Sequence, residues 1–158
     1  MELKLVISIM ILLTFRATSY ALDVDSLFKG SDFLSVVQLH KSGQTVKAIK
    51  MLEGIPLAPS KEGLRLFLLS KYNYELSFYE EALTAINESI EKKVPHLDYA
   101  YYLKGLIESE AKKNLSSAQK SIETVLKHNP ILALRKEAEY LLGKIYFEQR
   151  KNLSLIHI

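Results

Sequence analysis

The side chains able to do acid–base or metal chemistry are scattered along this sequence rather than gathered. The four histidines, His40, His96, His128 and His157, lie far apart and mostly near the ends of helical patterns. No two of them stand four apart around a glutamate, the spacing by which a metalloprotease helix holds zinc. There is no Gly-rich phosphate loop and no Gly-x-Ser-x-Gly turn to present a serine nucleophile. Cysteine is absent, which excludes disulfides, thiolate metal sites, a cysteine nucleophile and lipidation at cysteine. Glu108 and Glu110 are two apart and cannot share a helix face. Glu88/Lys92, Glu108/Lys112 and Glu123/Lys127 are i, i+4 pairs, which read as solvated helix surface. Catalysis needs a nucleophile, a base and a charge stabiliser that converge. The expectation is a protein that is not an enzyme and uses no metal or cofactor.

The elements that would carry these residues are helices. The 158 residues suffice for one domain with a real core, and six glycines and four prolines are too few for hairpin-rich β architectures. A net charge of +3, with acids and bases interspersed, offers no basic block to neutralise a run of phosphates, so no nucleic-acid partner is expected. Three segments align: Thr45 to Ile49, Tyr79 to Leu83 and Leu115 to Gln119. Each carries an alanine that opens an apolar stripe with its next members four and then seven or eight residues on: Ala48, Leu52, Ile55; Ala82, Ile86, Ile90; Ala118, Ile122, Val125. A partner helix precedes each one, around Phe33–Leu39, Leu64–Tyr74 and Tyr99–Glu110, and a further helix is expected from Tyr140 to Tyr146. Ser70, Gly105 and Gly143 are small residues placed where two helices must approach closely. Pro59, Pro95 and Pro130 punctuate the joints.

Ala48 and Ala82 are 34 residues apart and Ala82 and Ala118 are 36 apart, at or near the tetratricopeptide interval. Leu142-Gly143 followed by Tyr146, and Ala118 followed by Pro130, resemble consensus positions of the tetratricopeptide-repeat (TPR) family. The resemblance covers about residues 30–150, roughly three and a half repeats. It implies an all-α fold of antiparallel helix pairs stacked as a right-handed solenoid. A narrower stretch, Leu97 to Leu106, is similar to the TPR lipoproteins of the bacterial outer-membrane barrel-assembly machinery, although the lipidated cysteine of that family has no counterpart here. Three Asn-x-Ser triplets, at Asn87, Asn114 and Asn152, match a eukaryotic glycosylation pattern, against which the bacterial resemblance weighs.

In that family the first helix of each pair lines a concave groove. Mapped onto this sequence, the resemblance points Phe33, Val37 and His40 inward, then Phe67, Lys71 and Tyr74, then Tyr99, Tyr102 and Leu106, and last Tyr140, Lys144 and Phe147. Such an aromatic groove suits an apolar or extended protein segment. Of the clamp with which some members grip a terminal carboxylate, only Lys71 has a match. The expected function is therefore an exported scaffold or adaptor that binds a protein or peptide segment. A structural subunit of an outer-membrane or envelope assembly complex is the first alternative. A small helical enzyme is the second, against which the missing constellation counts.

The chain ends supply the remaining expectations. Lys4, the uncharged run Leu5–Phe15 and the small residues Ser19 and Ala21 have the order of a signal peptide over residues 1–21, cleaved after Ala21. Eleven helical residues would cover only about 16 Å of roughly 30 Å of hydrocarbon. Residues 22–158 then form the TPR domain, periplasmic or secreted, with membrane contact only indirect through envelope partners. Lys113-Asn114-Leu115-Ser116 recurs as Lys151-Asn152-Leu153-Ser154, 38 residues on, so another helix is expected to start there and the chain is expected to be incomplete at its C-terminus. Expressed with its leader in a Gram-negative host, the protein should be recovered from the periplasm beginning at Leu22. Intact-mass measurement of the fractionated product checks this, and a membrane-bound species retaining residues 1–21 would refute it.

Overall fold

The computed structural model describes residues 33–111 and 114–156. They form seven α-helices: α1 (Leu34–Lys41), α2 (Thr45–Gly54), α3 (Glu62–Glu75), α4 (Tyr79–Glu91), α5 (Leu97–Glu110), α6 (Leu115–Lys127) and α7 (Leu132–Ile156), with a short 3-10 turn at Pro59–Lys61 ahead of α3. Among the described residues there is no strand, and the fold is all-α. The expected signal segment, residues 1–21, lies outside them. None of the described helices is long and apolar enough to cross a membrane.

Each helix packs on the next in sequence, and α5 also touches both α3 and α7. Named contacts fix the direction of the pairs. In α3/α4 the Ser70 hydroxyl donates to the Ala82 carbonyl, and the Ser89 hydroxyl donates to the Gly63 carbonyl, each at 2.8 Å. Early residues of one helix meet late residues of the other, so the pair is antiparallel. The same holds for α6/α7, where Gln149 reaches back to Leu115 and Gln119 while Tyr146 reaches Glu123. The alanine stripes do what their spacing requires: Ala48 and Leu52, Ala82 and Ile86, and Ala118, Ile122 and Val125 are all buried in one continuous core.

Close approach is set by small residues. At Gly105 an added Cβ would stand 2.6 Å from Ile122 Cδ1 and 3.3 Å from the Ala118 carbonyl oxygen, so α6 occupies the space that a side chain would need. At Ser70 the hydroxyl takes the place of such contact by bonding the neighbouring backbone. Gly143 differs from the expectation, since nothing lies within 4 Å of where its Cβ would be. Among the described residues no helix packs on that side of α7.

The joints are built by left-handed residues more than by proline. Gly43, Ser77 and Lys93 follow α1, α3 and α4 with φ of 79°, 64° and 51°. In each joint the amide of that residue and the amide after it turn back to carbonyls of the last helical turn: Ser77 to Tyr74 and Phe78 to Asn73, Lys93 to Ile90 and Val94 to Ser89, Gly43 to His40 and Gln44 to Leu39. The C-terminal helix also departs from expectation. It begins at Leu132, eight residues before Tyr140, and runs without a break through Lys151-Asn152-Leu153-Ser154. In the first copy of that tetrapeptide Asn114 caps α6, its side chain accepting from the Ser117 amide at 3.0 Å. In the second, good helix formers precede Asn152 with no proline after Pro130, and the helix continues.

The two glycines should respond to the same change with opposite signs. Gly143→Ala adds helix propensity on an open face and should raise stability by about 0.5–1 kcal/mol. Gly105→Ala must displace the buried Ile122 and should show a net loss of about 1–3 kcal/mol. Urea melts of both variants measure this, and equal shifts would show that α6 does not press on Gly105.

Candidate binding surface

The helix period brings Phe67, Lys71 and Tyr74 onto one side of α3, and the same logic places Phe33, Val37 and His40 on α1. Two of these meet across the helices: the Lys71 ammonium lies 3.3 Å from His40 Nε2. Glu75, one turn on from Lys71, joins them, with its carboxylate 3.1 Å from Lys71 Nζ and 3.2 Å from His40 Nε2. The His40 ring stacks on Tyr72 at 4.3 Å between centroids, and its Nδ1 lies 3.3 Å from the Thr45 hydroxyl. Lys71 also sits 5.2 Å from the centre of the Tyr72 ring.

Thr45, His40 and Glu75 stand in the order hydroxyl, imidazole, carboxylate, which is the order of an acyl-transfer triad. The charge around them works against that chemistry. A general base must become imidazolium, and Lys71 places a second cation against the nitrogen that faces Glu75. Neutral His40 can donate from Nε2 to Glu75 or accept there from Lys71, but not both. The cluster is a polar clasp between α1 and α3. Among the described residues, no group of three His, Cys, Asp or Glu could hold a metal ion.

The structure divides the remaining groove residues. Phe33 and Phe67 are core, and Lys71, Tyr74 and Tyr102 are only 7%, 9% and 9% exposed. Val37 and Leu106 are buried with them. Tyr74 packs its ring 6.1 Å from that of Tyr79 on α4. His40, Tyr99 and Lys144 are half-buried. Tyr140 and Phe147, both on α7, are 56% and 68% exposed. Helix α7 touches α5 and α6 but neither α1 nor α3, so Tyr140 and Phe147 form a surface apart from the His40–Lys71 clasp. Tyr99 lies between, at the start of α5, edge-on to His96 at 6.2 Å. Burial, and secondarily the Asp98 carboxylate, hold its hydroxyl above the usual tyrosine range, so it stays protonated and able to donate.

One residue read as solvated surface is interior. Glu108 is buried, and its two carboxylate oxygens accept from the hydroxyls of Ser117 at 2.7 Å and Ser121 at 3.1 Å. Its supposed partner Lys112 lies outside the described residues. The carboxylate sits near the first turn of α6, where the free amides of a helix start favour negative charge. Ser117 and Ser121, four apart, were the available sign of a polar seam against α5. Likewise Lys71 and Glu75, also four apart, marked the clasp. Compared with known proteins, the chain matches no family model, no curated protein and no solved structure.

Burial decides what the groove tyrosines do in this conformation. Tyr74→Ala combined with Tyr102→Ala removes two nearly enclosed rings, and the double variant should lose at least about 4 kcal/mol of folding stability, by the usual cost of large-to-small core changes. Thermal melts followed by circular dichroism test this. An unchanged melting temperature would return both rings to the surface.

Proposed function

We propose that the chain is a TPR-type scaffold, a right-handed stack of antiparallel helix pairs that is exported and binds a segment of another protein. The observation that carries this reading is the repeated helix crossing. Ser70 against Ala82 and Gly105 against Ala118 are the same contact made twice, 35 residues apart on the first helices and 36 on the second. Repetition at that interval is what a stack of like units requires. The non-enzymatic part of the reading is supported by Lys71, whose charge opposes the one hydroxyl–imidazole–carboxylate arrangement described above. On this reading the ligand meets the half-exposed members of the groove, His40, Tyr99 and Lys144, with the exposed Tyr140 and Phe147 at its far end. Those aromatics also favour a second reading, a subunit of an envelope-assembly complex that docks through its C-terminal helix.

The test is binding of the processed chain to an array of extended, apolar-rich peptides. Binders should lose affinity at least about tenfold, some 1.4 kcal/mol, when Tyr99→Ala and His40→Ala are combined. Thr84→Ala, on the exposed side of α4, should leave affinity unchanged. Equal binding by the two variants would move the ligand off this surface, and an array with no binders would remove the peptide-scaffold reading.

A further inference from the structure

Several joints between helices meet at one end of the molecule. Two of them flank the start of α5. Just before that helix, His96 sets its ring 6.2 Å from Tyr99, and just after α6, His128 sets its ring 6.3 Å from Tyr101. The start of α3 lies there too: a Cβ added at Gly63 would stand 3.3 Å from Lys92 Cβ and from Val94 Cα, immediately past α4. The α4/α5 joint, the α6/α7 joint and the first turn of α3 therefore share one end, and the α1/α2 and α3/α4 joints lie at the other.

The α6/α7 joint is amphipathic. Ile131 and Leu132 are 58% and 67% exposed. From Lys127 to Lys136 the chain holds Lys127, His128, Arg135 and Lys136 and no acid. Pro130 and Leu134 are buried on either side of the aliphatic pair, and Arg135 donates to Asn129 Oδ1 at 2.9 Å, so the joint is held in place. The α4/α5 joint adds Lys92 and Lys93, both exposed. The acids of this end are mostly engaged: Glu62 accepts from Arg65 at 2.6 Å and Asp98 from the Tyr99 amide at 3.0 Å, which leaves the exposed Glu91. At the opposite end acids and bases mix, with Lys41, Lys47, Glu80, Glu81 and Glu110 all exposed. Positive charge is thus gathered at one end, around an apolar tip.

We infer that this end of the molecule docks directly on an anionic phospholipid surface. Ile131 and Leu132 enter the headgroup layer, and Lys92, Lys93, Lys127 and Lys136 lie over the lipid phosphates. Binding at a membrane interface grows with the apolar area that enters it and with each base held near the negative surface, and this end supplies both. A bilayer fits better than an acidic protein. The bases come from two joints rather than one pocket, so no single arrangement of carboxylates matches them, whereas a sheet of lipid charge neutralises bases at any spacing. Docking through the helix ends leaves the helix sides to a protein ligand, so it is independent of the binding proposed above.

Co-sedimentation of the processed chain from Leu22 is measured with vesicles of equimolar phosphatidylglycerol and phosphatidylcholine, and with vesicles of phosphatidylcholine alone. Binding to the anionic vesicles should be at least about tenfold tighter and should weaken as salt is raised. Ile131→Ser combined with Leu132→Ser should lower it at least about tenfold, and so should Lys92→Glu combined with Lys127→Glu. Lys47→Glu with Lys50→Glu makes the same charge change on α2 and should cost less than about threefold, since lipid charge is felt only within a Debye length. Circular dichroism establishes that the variants remain folded. The chain has no tryptophan, so Leu132→Trp reports on the tip. Its emission should shift to the blue with anionic vesicles, and that of Thr84→Trp, on the exposed side of α4, should not. Absence of binding, equal binding to the uncharged vesicles, equal losses in the two charge-reversed pairs, or an unshifted Leu132→Trp would each overturn the inference. So would retention on immobilised polyglutamate without vesicle binding, which would give this end to an acidic protein. None of these outcomes bears on the peptide array, whose decisive variants lie on α1 and α5.

Discussion

Everything in this structure depends on how closely two helices can come together within a pair. The distance is fixed where one helix offers almost no side chain: Ser70 beneath Ala82, and Gly105 beneath Ala118 and Ile122. Helices joined by short turns can slide and rotate, and side-chain area alone does not fix their register. A backbone carbonyl lodged against a glycine, or bonded by a serine hydroxyl, does fix it, because a shift of one residue turns the small residue away. Ser89 on the Gly63 carbonyl locks the other end of α3/α4. Glu108 between Ser117 and Ser121 plays that part in α5/α6.

These locks are polar groups held inside an apolar stack, and their value lies more in specificity than in net energy. A buried hydroxyl-to-carbonyl bond adds only about 1 kcal/mol over its solvated alternatives. Leaving the same groups unmade in a slipped register costs more than that. The clasp of His40, Lys71 and Glu75 extends the principle from within a pair to between pairs, since it joins α1 to α3. Its charges are enclosed by Tyr72 on one side, so the attraction is less screened than on an open surface. In the proposed repeat array, such a clasp sets the angle between successive units.

Much of this architecture was legible in the residues. The alanine-led stripes had a period that only helices share, and they mark the buried faces of α2, α4 and α6. Pair partners followed because a half-apolar helix must bury its stripe. Three things were hidden, each for a physical reason. At the start of α7 the buried stripe of Leu134, Ala138 and Leu141 is blurred by the exposed apolar Ile131 and Leu132, so its first two turns look like loop until the Leu134 and Ala138 contacts are seen. The interior carboxylate of Glu108 resembles any surface glutamate, because its hydroxyl partners lie on another helix. The groove could not be resolved from spacing alone: Tyr102 and Tyr140 occupy the same position of the repeat, yet one is enclosed and the other open. What decides between them is the presence of a neighbouring helix, which no local pattern encodes.

The joints carry a consequence of their own. Of the left-handed positions that close α1, α3 and α4, only Gly43 is a glycine; Ser77 and Lys93 adopt the same geometry with a Cβ that resists it, at a cost of about 1–2 kcal/mol each. Ser77 and Lys93 are both exposed, and their amides bond back to the carbonyls of Tyr74 and Ile90. A glycine at either position would relieve that strain without removing a side chain from the core. The strain of the stack is thus held at its surface joints, apart from the small residues that set how closely its helices pack.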